Sequence, residues 1–186
     1  AQAEGGALHP RNVNFSFEGP FGTFDQGQLQ RGYRVYEQVC AACHSMNLMS
    51  YRNLGQEGGP FYSEEHPNPN DNPYVKAIAA QIEVGDLDTE TGEPIMRAAT
   101  PADRFRSPFP NATAAAFANG GAAPPDLSVI TKARHGGAEY VYSLLTGYRE
   151  PPAGLRIGAG QHYNAYMAGT LFPYTTLFRS EERRVG

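Results

Sequence analysis

The chain is short of several features that would place a protein quickly. It has no tryptophan and only two cysteines among 186 residues, which excludes a scaffold stapled by several disulfides. Fifteen Lys and Arg face nineteen Asp and Glu, for a net charge of −4, which argues against a nucleic-acid binder, since that would need a basic face. No apolar run approaches the roughly 18–20 residues of a membrane span. No signal peptide is evident either, although Ala1-Gln2-Ala3 has the small residues that remain after cleavage. Glycine and proline, by contrast, are plentiful at 21 and 15. That content predicts one loop-rich domain, and a 40% hydrophobic share is enough for a core.

Both cysteines fall in one motif, Cys40-Ala41-Ala42-Cys43, followed directly by His44. A thioredoxin-like redox pair would need a βαβ context, which does not precede Cys40. A structural zinc site would need a second pair of ligands, and the sequence has none. The remaining reading is covalent attachment of one haem c. Two thiols add to the vinyl groups and the next residue supplies an imidazole to the iron. The spacing has a physical basis, because helical positions i and i+3 share a face and bring both sulfurs to one porphyrin edge.

The flanks support that placement. Asp25 and Gln28 have the spacing of a helix N-cap, and Leu29, Tyr33, Tyr36 and Cys40 then form one helical stripe. Gln30, Arg31, Arg34, Glu37 and Gln38 fall mostly on the other side, so Tyr33 and Tyr36 are expected to pack into the core rather than carry redox chemistry. Residues 1–24, with Phe15, Phe17, Phe21 and Phe24, predict an extended arm packing aromatics onto the body. Residues 52–73 predict a surface loop, and Asn72-Pro73 a helix start whose apolar face is Val75, Ile78, Ala79 and Ile82, with Gly85 as its stop. Residues 83–93 hold Glu83, Asp86, Asp88, Glu90 and Glu93 without Lys or Arg, as either a solvated loop or an acidic patch that steers a basic partner. Residues 94–125 read as loop. Short helices are expected from Leu127 to about His135 and from about Glu139 to Thr146. Asn111-Ala112-Thr113 fits a glycosylation sequon by coincidence. The expected class is mainly α, short helices and long loops around one bulky group.

Three blocks carry a resemblance: Arg31-Gly32-Tyr33-Arg34-Val35-Tyr36 leading into Cys40-Ala41-Ala42-Cys43-His44-Ser45-Met46, then Asn119-Gly120-Gly121-Ala122-Ala123-Pro124-Pro125-Asp126-Leu127-Ser128, then Lys132 to Tyr148. Over roughly residues 5–169 the chain resembles the cytochrome c1 family, the c-type subunit of the cytochrome bc1 complex. The resemblance implies a class I cytochrome c-like fold and an electron carrier that is not a catalyst on its own. Its partners would be cytochrome b and the Rieske iron–sulfur protein, with a cytochrome c as acceptor, on the periplasmic or intermembrane-space side of a membrane. It also implies that Cys40 and Cys43 hold the haem and that His44 is the proximal ligand. Asn119, Ala122, Pro125, Leu127, Arg134, Tyr140, Leu144 and Leu145 would line the pocket. Arg134 could neutralise a haem propionate with paired hydrogen bonds, or simply sit as a surface cation at a helix C-terminus.

The sixth iron ligand is less plainly marked. Met46 and Met49 lie too close to His44 in sequence to reach the opposite face, Met96 sits in a predicted loop, and Met167 lies nearest the expected place. In the family a Met-Pro-Pro segment follows a few residues later. Here the match stops after Gly169, with Tyr174 at about the ligand position. The expected layout is therefore an arm at 1–24, a haem domain at 25–169 cut short of its axial Met and membrane anchor, and a foreign tail at 170–186 resembling translated adapter DNA. A natural basic tail is the other reading of that end. A haem-based sensor with an open sixth position is the competing function.

Overall fold

The computed structural model describes residues 7–158, 161–167 and 171–173. Residues 1–6, 159–160, 168–170 and 174–186 lie outside the described residues, and with them Tyr174 and most of the tail expected at 170–186. Contacts divide the chain into two compact units. One is Phe15–Phe117 with Ala122–Ser128, and the other is Ala1–Asn14, Ala118–Gly121 and Val129–Gly186.

In the first unit, helix α1 (Gln26–Gln38) starts where the Asp25 side chain accepts the Gln28 N–H, so the cap read from the sequence is present. A 3₁₀ turn, Cys40–Ala42, follows directly. Tyr33 and Tyr36 turn inward onto a core of Tyr51, Leu54, Val75, Ala79, Ala99 and Phe105. Phe105 is the hub, with ring centroids 4.9 Å from Tyr51, 5.9 Å from Tyr36 and 6.2 Å from Tyr33. Aromatic pairs at such distances add about 0.5–1.5 kcal/mol each beyond area burial. Burial also pushes the Tyr36 phenol up to about 12, with Tyr51, Cys40 and Asp126 adding to the effect. The core reading of the tyrosine stripe holds.

Residues expected as a plain surface loop contribute to this core. A second 3₁₀ turn, Tyr51–Gly55, opens with a capping box between Ser50 and Asn53 and buries Tyr51, Leu54 and Gly55. A Cβ on Gly55 would lie 2.8 Å from Val75, so only glycine lets the turn approach α2 (Pro73–Ala79) this closely. Helix α2 begins as expected, with Asn72 as cap and Pro73 at its first position, but it ends at Ala79, well before Gly85.

Gly85 instead lies in strand β1 (Glu83–Leu87), which pairs antiparallel with β2 (Pro94–Ala98). The solvated loop expected here is thus a hairpin, and the loop expected at 94–125 also contains α3 (Ala112–Ala118). The hairpin turn is self-made. The Asp88 side chain accepts the N–H groups of Glu90 and Thr91, and Gly92 takes a positive φ of 72°. Behind it Arg97 pairs with Asp86 and makes a two-pronged contact with Asp103 at 2.8 and 2.9 Å. That pairing, with further bonds from Thr100, holds the Asp103 carboxyl well below the usual carboxylate range. A depressed pKa contributes stability above the unfolded value that disappears as pH falls through the folded one. Arg97→Gln is therefore expected to lower the melting temperature at about pH 7 and to flatten the acid side of the stability profile. Thermal unfolding across pH checks this, and an unchanged acid limb would count against it.

In the second unit, α4 (Ile130–Ala133) is shorter than expected and α5 (Gly137–Leu145) close to expectation. The N-terminal segment lies on α5. Arg11 donates from its backbone to Ser143 Oγ at 2.8 Å and from Nε to Tyr166 Oη at 2.9 Å, and Leu8 N–H bonds the Ala165 carbonyl. Strands β3 (Gln161–Tyr163) and β4 (Leu171–Pro173) pair antiparallel. Of the arm's aromatics, Phe15, Phe17 and Phe24 stack in series in the first unit, whereas Phe21 is 93% exposed rather than packed on the body. Among the described residues there are five short α-helices and two small antiparallel sheets, less purely helical than the sequence implies. Among the described residues no helix is long and apolar enough to cross a membrane.

Candidate functional site

The Cys40–Ala42 turn is tight because two N–H groups share one carbonyl. Cys43 N and His44 N both donate to Cys40 O, at 3.1 and 2.8 Å. This keeps the two cysteines and the histidine within a single turn. Both thiols are unpaired and half-buried. Burial pushes the Cys40 thiol up, and Cys43 beside it adds to the shift.

His44 is oriented by the chain itself. Its Nδ1 lies 2.8 Å from the Pro125 carbonyl oxygen. A carbonyl only accepts, so Nδ1 carries the proton and Nε2 presents its lone pair. That is the tautomer of a histidine prepared for a metal, with a backbone carbonyl as its outer partner. Two unpaired thiols and one tautomer-fixed imidazole in one turn fit a covalent haem. They do not fit zinc, because no group of three or more His, Cys, Asp or Glu among the described residues could hold a metal ion.

The loop carrying Pro125 is bound to the motif by residues that the sequence reading passed over. Asp126 accepts from Ser45 Oγ, Asn47 N and Ser128 N, each at 2.8 Å. Leu127 N bonds Ser45 O at 2.9 Å, and Leu48 N bonds Ser128 Oγ at 3.0 Å. Burial opposes ionisation of Asp126, but the bonds from Asn47, Ser128 and Ser45 outweigh it and bring the pKa down to about 2. The one local signal was the Asp-Leu-Ser spacing, which suits an Asx turn.

The other expected pocket residues divide between the units. Ala122, Pro125 and Leu127 accompany Cys40, Cys43 and His44 in the first, with Leu127 half-buried and Ala122 exposed. Asn119, Arg134, Tyr140, Leu144, Leu145 and Met167 belong to the second. There Tyr140 and Leu144 share a face of α5 and are half-buried, while Leu145 is 47% exposed. Arg134 is the exposed C-cap of α4, where the helix dipole favours a cation. Of the methionines, Met46 and Met49 pack against the first unit's core, Met96 is 60% exposed on β2, and Met167 is half-buried.

The family model described as "Cytochrome C1 family" matches residues 15–181. The mitochondrial heme protein cytochrome c1-2 of Solanum tuberosum is 52% identical over 151 residues, covering 81% of this chain and 54% of the relative. A Candida albicans protein named cytochrome b-c1 complex catalytic subunit, mitochondrial, is 44% identical, covering 87% of this chain and 53% of the relative. The cytochrome b/c1 of Bradyrhizobium diazoefficiens is 42% identical, covering 91% of this chain and 26% of the relative. The chain thus spans about half the length of the mitochondrial relatives it matches.

Proposed function

The chain belongs to the cytochrome c1 family, and on that premise we propose that it is a one-electron carrier bearing a single covalent haem c. The observation that carries the reading is the Nδ1 bond from His44 to the Pro125 carbonyl beside two unpaired thiols. A haem c held there supplies a reversible Fe(II)/Fe(III) couple. Cys40 and Cys43 would hold it through thioether bonds, and His44 would ligate through Nε2. Met167 is the proposed sixth ligand, and a thioether opposite an imidazole raises the potential. Asn119, Ala122, Leu127, Tyr140, Leu144 and Leu145 would exclude water, and the Arg134 guanidinium would neutralise a propionate.

The fold around it would be the class I cytochrome c-like arrangement, with 25–169 as the haem domain, 1–24 as its arm and 170–186 as a tail. The chain would take electrons from the Rieske iron–sulfur protein, beside cytochrome b, and deliver them to a cytochrome c. Its place would be the periplasmic or intermembrane-space side of a membrane. Such attachment happens outside the cytoplasm, in keeping with that placement. The sensor reading with an open sixth position is not favoured, since relatives at 42–52% identity bear cytochrome c1 names.

The acidic segment is narrower as a docking surface than its composition implies. Asp86 is paired with Arg97, and Asp88 is committed to its own turn. Steering then rests on the exposed Glu83, Glu90 and Glu93. Reversing these three to lysine is expected to slow reduction of a basic cytochrome c about tenfold at low ionic strength and to remove most of its salt dependence. Stopped-flow mixing over a salt series measures both. An unchanged rate and slope would end the docking role, and no electron delivery by the reduced wild type would end the carrier reading.

A further inference from the structure

We propose that Asp126 is a positioning residue for His44, acting through the loop that presents the Pro125 carbonyl. The inference rests on the haem-carrier reading above. Pro124 and Pro125 have no N–H groups, so this stretch cannot fix itself by donating hydrogen bonds. The position of the Pro125 carbonyl is set by what holds its neighbours. The next residue is Asp126, and its carboxylate is the most heavily bonded group between the two loops.

One oxygen, Oδ2, accepts both Ser45 Oγ and Asn47 N, which follow His44 directly in the chain. The other, Oδ1, accepts Ser128 N and shapes its own turn. With Leu127 N to Ser45 O and Leu48 N to Ser128 Oγ, four bonds zip together segments about eighty residues apart. The three bonds ending on the carboxylate are charge-assisted and are the stronger ones. Asp126 therefore clamps both ends of the His44 contact. It fixes the residues after the imidazole on one side and the peptide after the accepting carbonyl on the other. Asparagine replaces it only in part, because its NH₂ would face the backbone N–H of either Ser128 or Asn47 and the charge behind all three bonds would be gone.

The consequence reaches the iron through the ring. An Nδ1–H held firmly on a carbonyl makes Nε2 a stronger donor and favours the oxidised metal. Loosening the clamp lengthens and bends that bond, and such bonds weaken steeply with poor angle. The couple should then move to more positive potential, with His44 still ligated.

The test uses the haem-loaded chain and compares Asp126→Asn with Ser45→Ala and Asp103→Asn. Asp103→Asn breaks the Arg97 tie elsewhere in the same unit, so it controls for a general loss of stability. The expected result is a more positive midpoint for Asp126→Asn and a smaller shift of the same sign for Ser45→Ala. Amide exchange at Asn47 and Leu48 should also quicken about tenfold, while Asp103→Asn leaves the midpoint where it was. If Asp126→Asn does not fold, Ser45→Ala alone carries the comparison. A midpoint unchanged in the folded clamp variants, or shifted equally by Asp103→Asn, would overturn the positioning role. A wild type that acquires no covalent haem would instead sink the carrier reading, so the two failures are distinguishable.

Discussion

His44→Gly, matured in a host that attaches c-type haem, is expected to keep its covalent haem and lose its low-spin spectrum. In the proposed attachment the two thioether bonds would involve Cys40 and Cys43 alone, so attachment should survive. The iron would lose its proposed donor, the ring that the Pro125 contact orients. Reduction of a cytochrome c should fall by more than about a hundredfold, since partners one shell further out already account for 10–100-fold in other metal sites. Added imidazole should restore the low-spin spectrum, because the cavity left by the side chain accepts the free ring. A glycine variant that keeps its spectrum without imidazole would mean that another residue ligates the iron.

Asn72→Ala is expected to cost about 3 kcal/mol of stability. Asn72 is fully buried, and both its side-chain oxygen and its amide nitrogen are hydrogen-bonded. Its Oδ1 accepts the Tyr74 and Val75 N–H groups at 2.9 and 3.3 Å, and its Nδ2 donates to Phe61 O at 2.7 Å. Losing the cap accounts for about 1 kcal/mol or more. Stranding the Phe61 carbonyl accounts for about 1–3 more. Asn72→Ser keeps a capping oxygen and loses only the tether, so it should fall roughly midway between wild type and alanine. Denaturant unfolding of the three proteins measures both differences. Equal stability of the serine and alanine variants would remove the cap from this account.

What was legible in the sequence was local. Asp25 with Gln28 and Asn72 with Pro73 mark helix starts because a cap bond closes within two or three residues. The Cys40-to-His44 motif needs only five consecutive residues to state its chemistry. What stayed hidden depends on partners far away in sequence or on turns that resemble solvated chain. The acid-rich stretch at 83–93 looked like loop because its hairpin rests on the Asp88 turn and on Arg97, which lies just past the acidic run. Helix α4 begins three residues later than the sequence predicts because Leu127 and Ser128 are committed to the zipper with Ser45 and Leu48. Helix α3 replaces part of an expected loop: Ala112–Ala118 is rich in a strong helix former and Asn111 caps it by accepting the Ala114 N–H. Asp126 shows no role from its neighbours in sequence, since its partners Ser45 and Asn47 lie about eighty residues away.

The most direct test of the central claim is whether haem stays on the chain after denaturation. The protein matured in a cytochrome-c-competent host is unfolded, extracted with acidified acetone, and its cysteines are counted by alkylation. The account predicts that the haem remains with the polypeptide, that its alkaline pyridine spectrum is that of a porphyrin with two saturated thioethers, and that neither Cys40 nor Cys43 is alkylated. Haem that partitions into the acetone, with both cysteines open to alkylation, would contradict it.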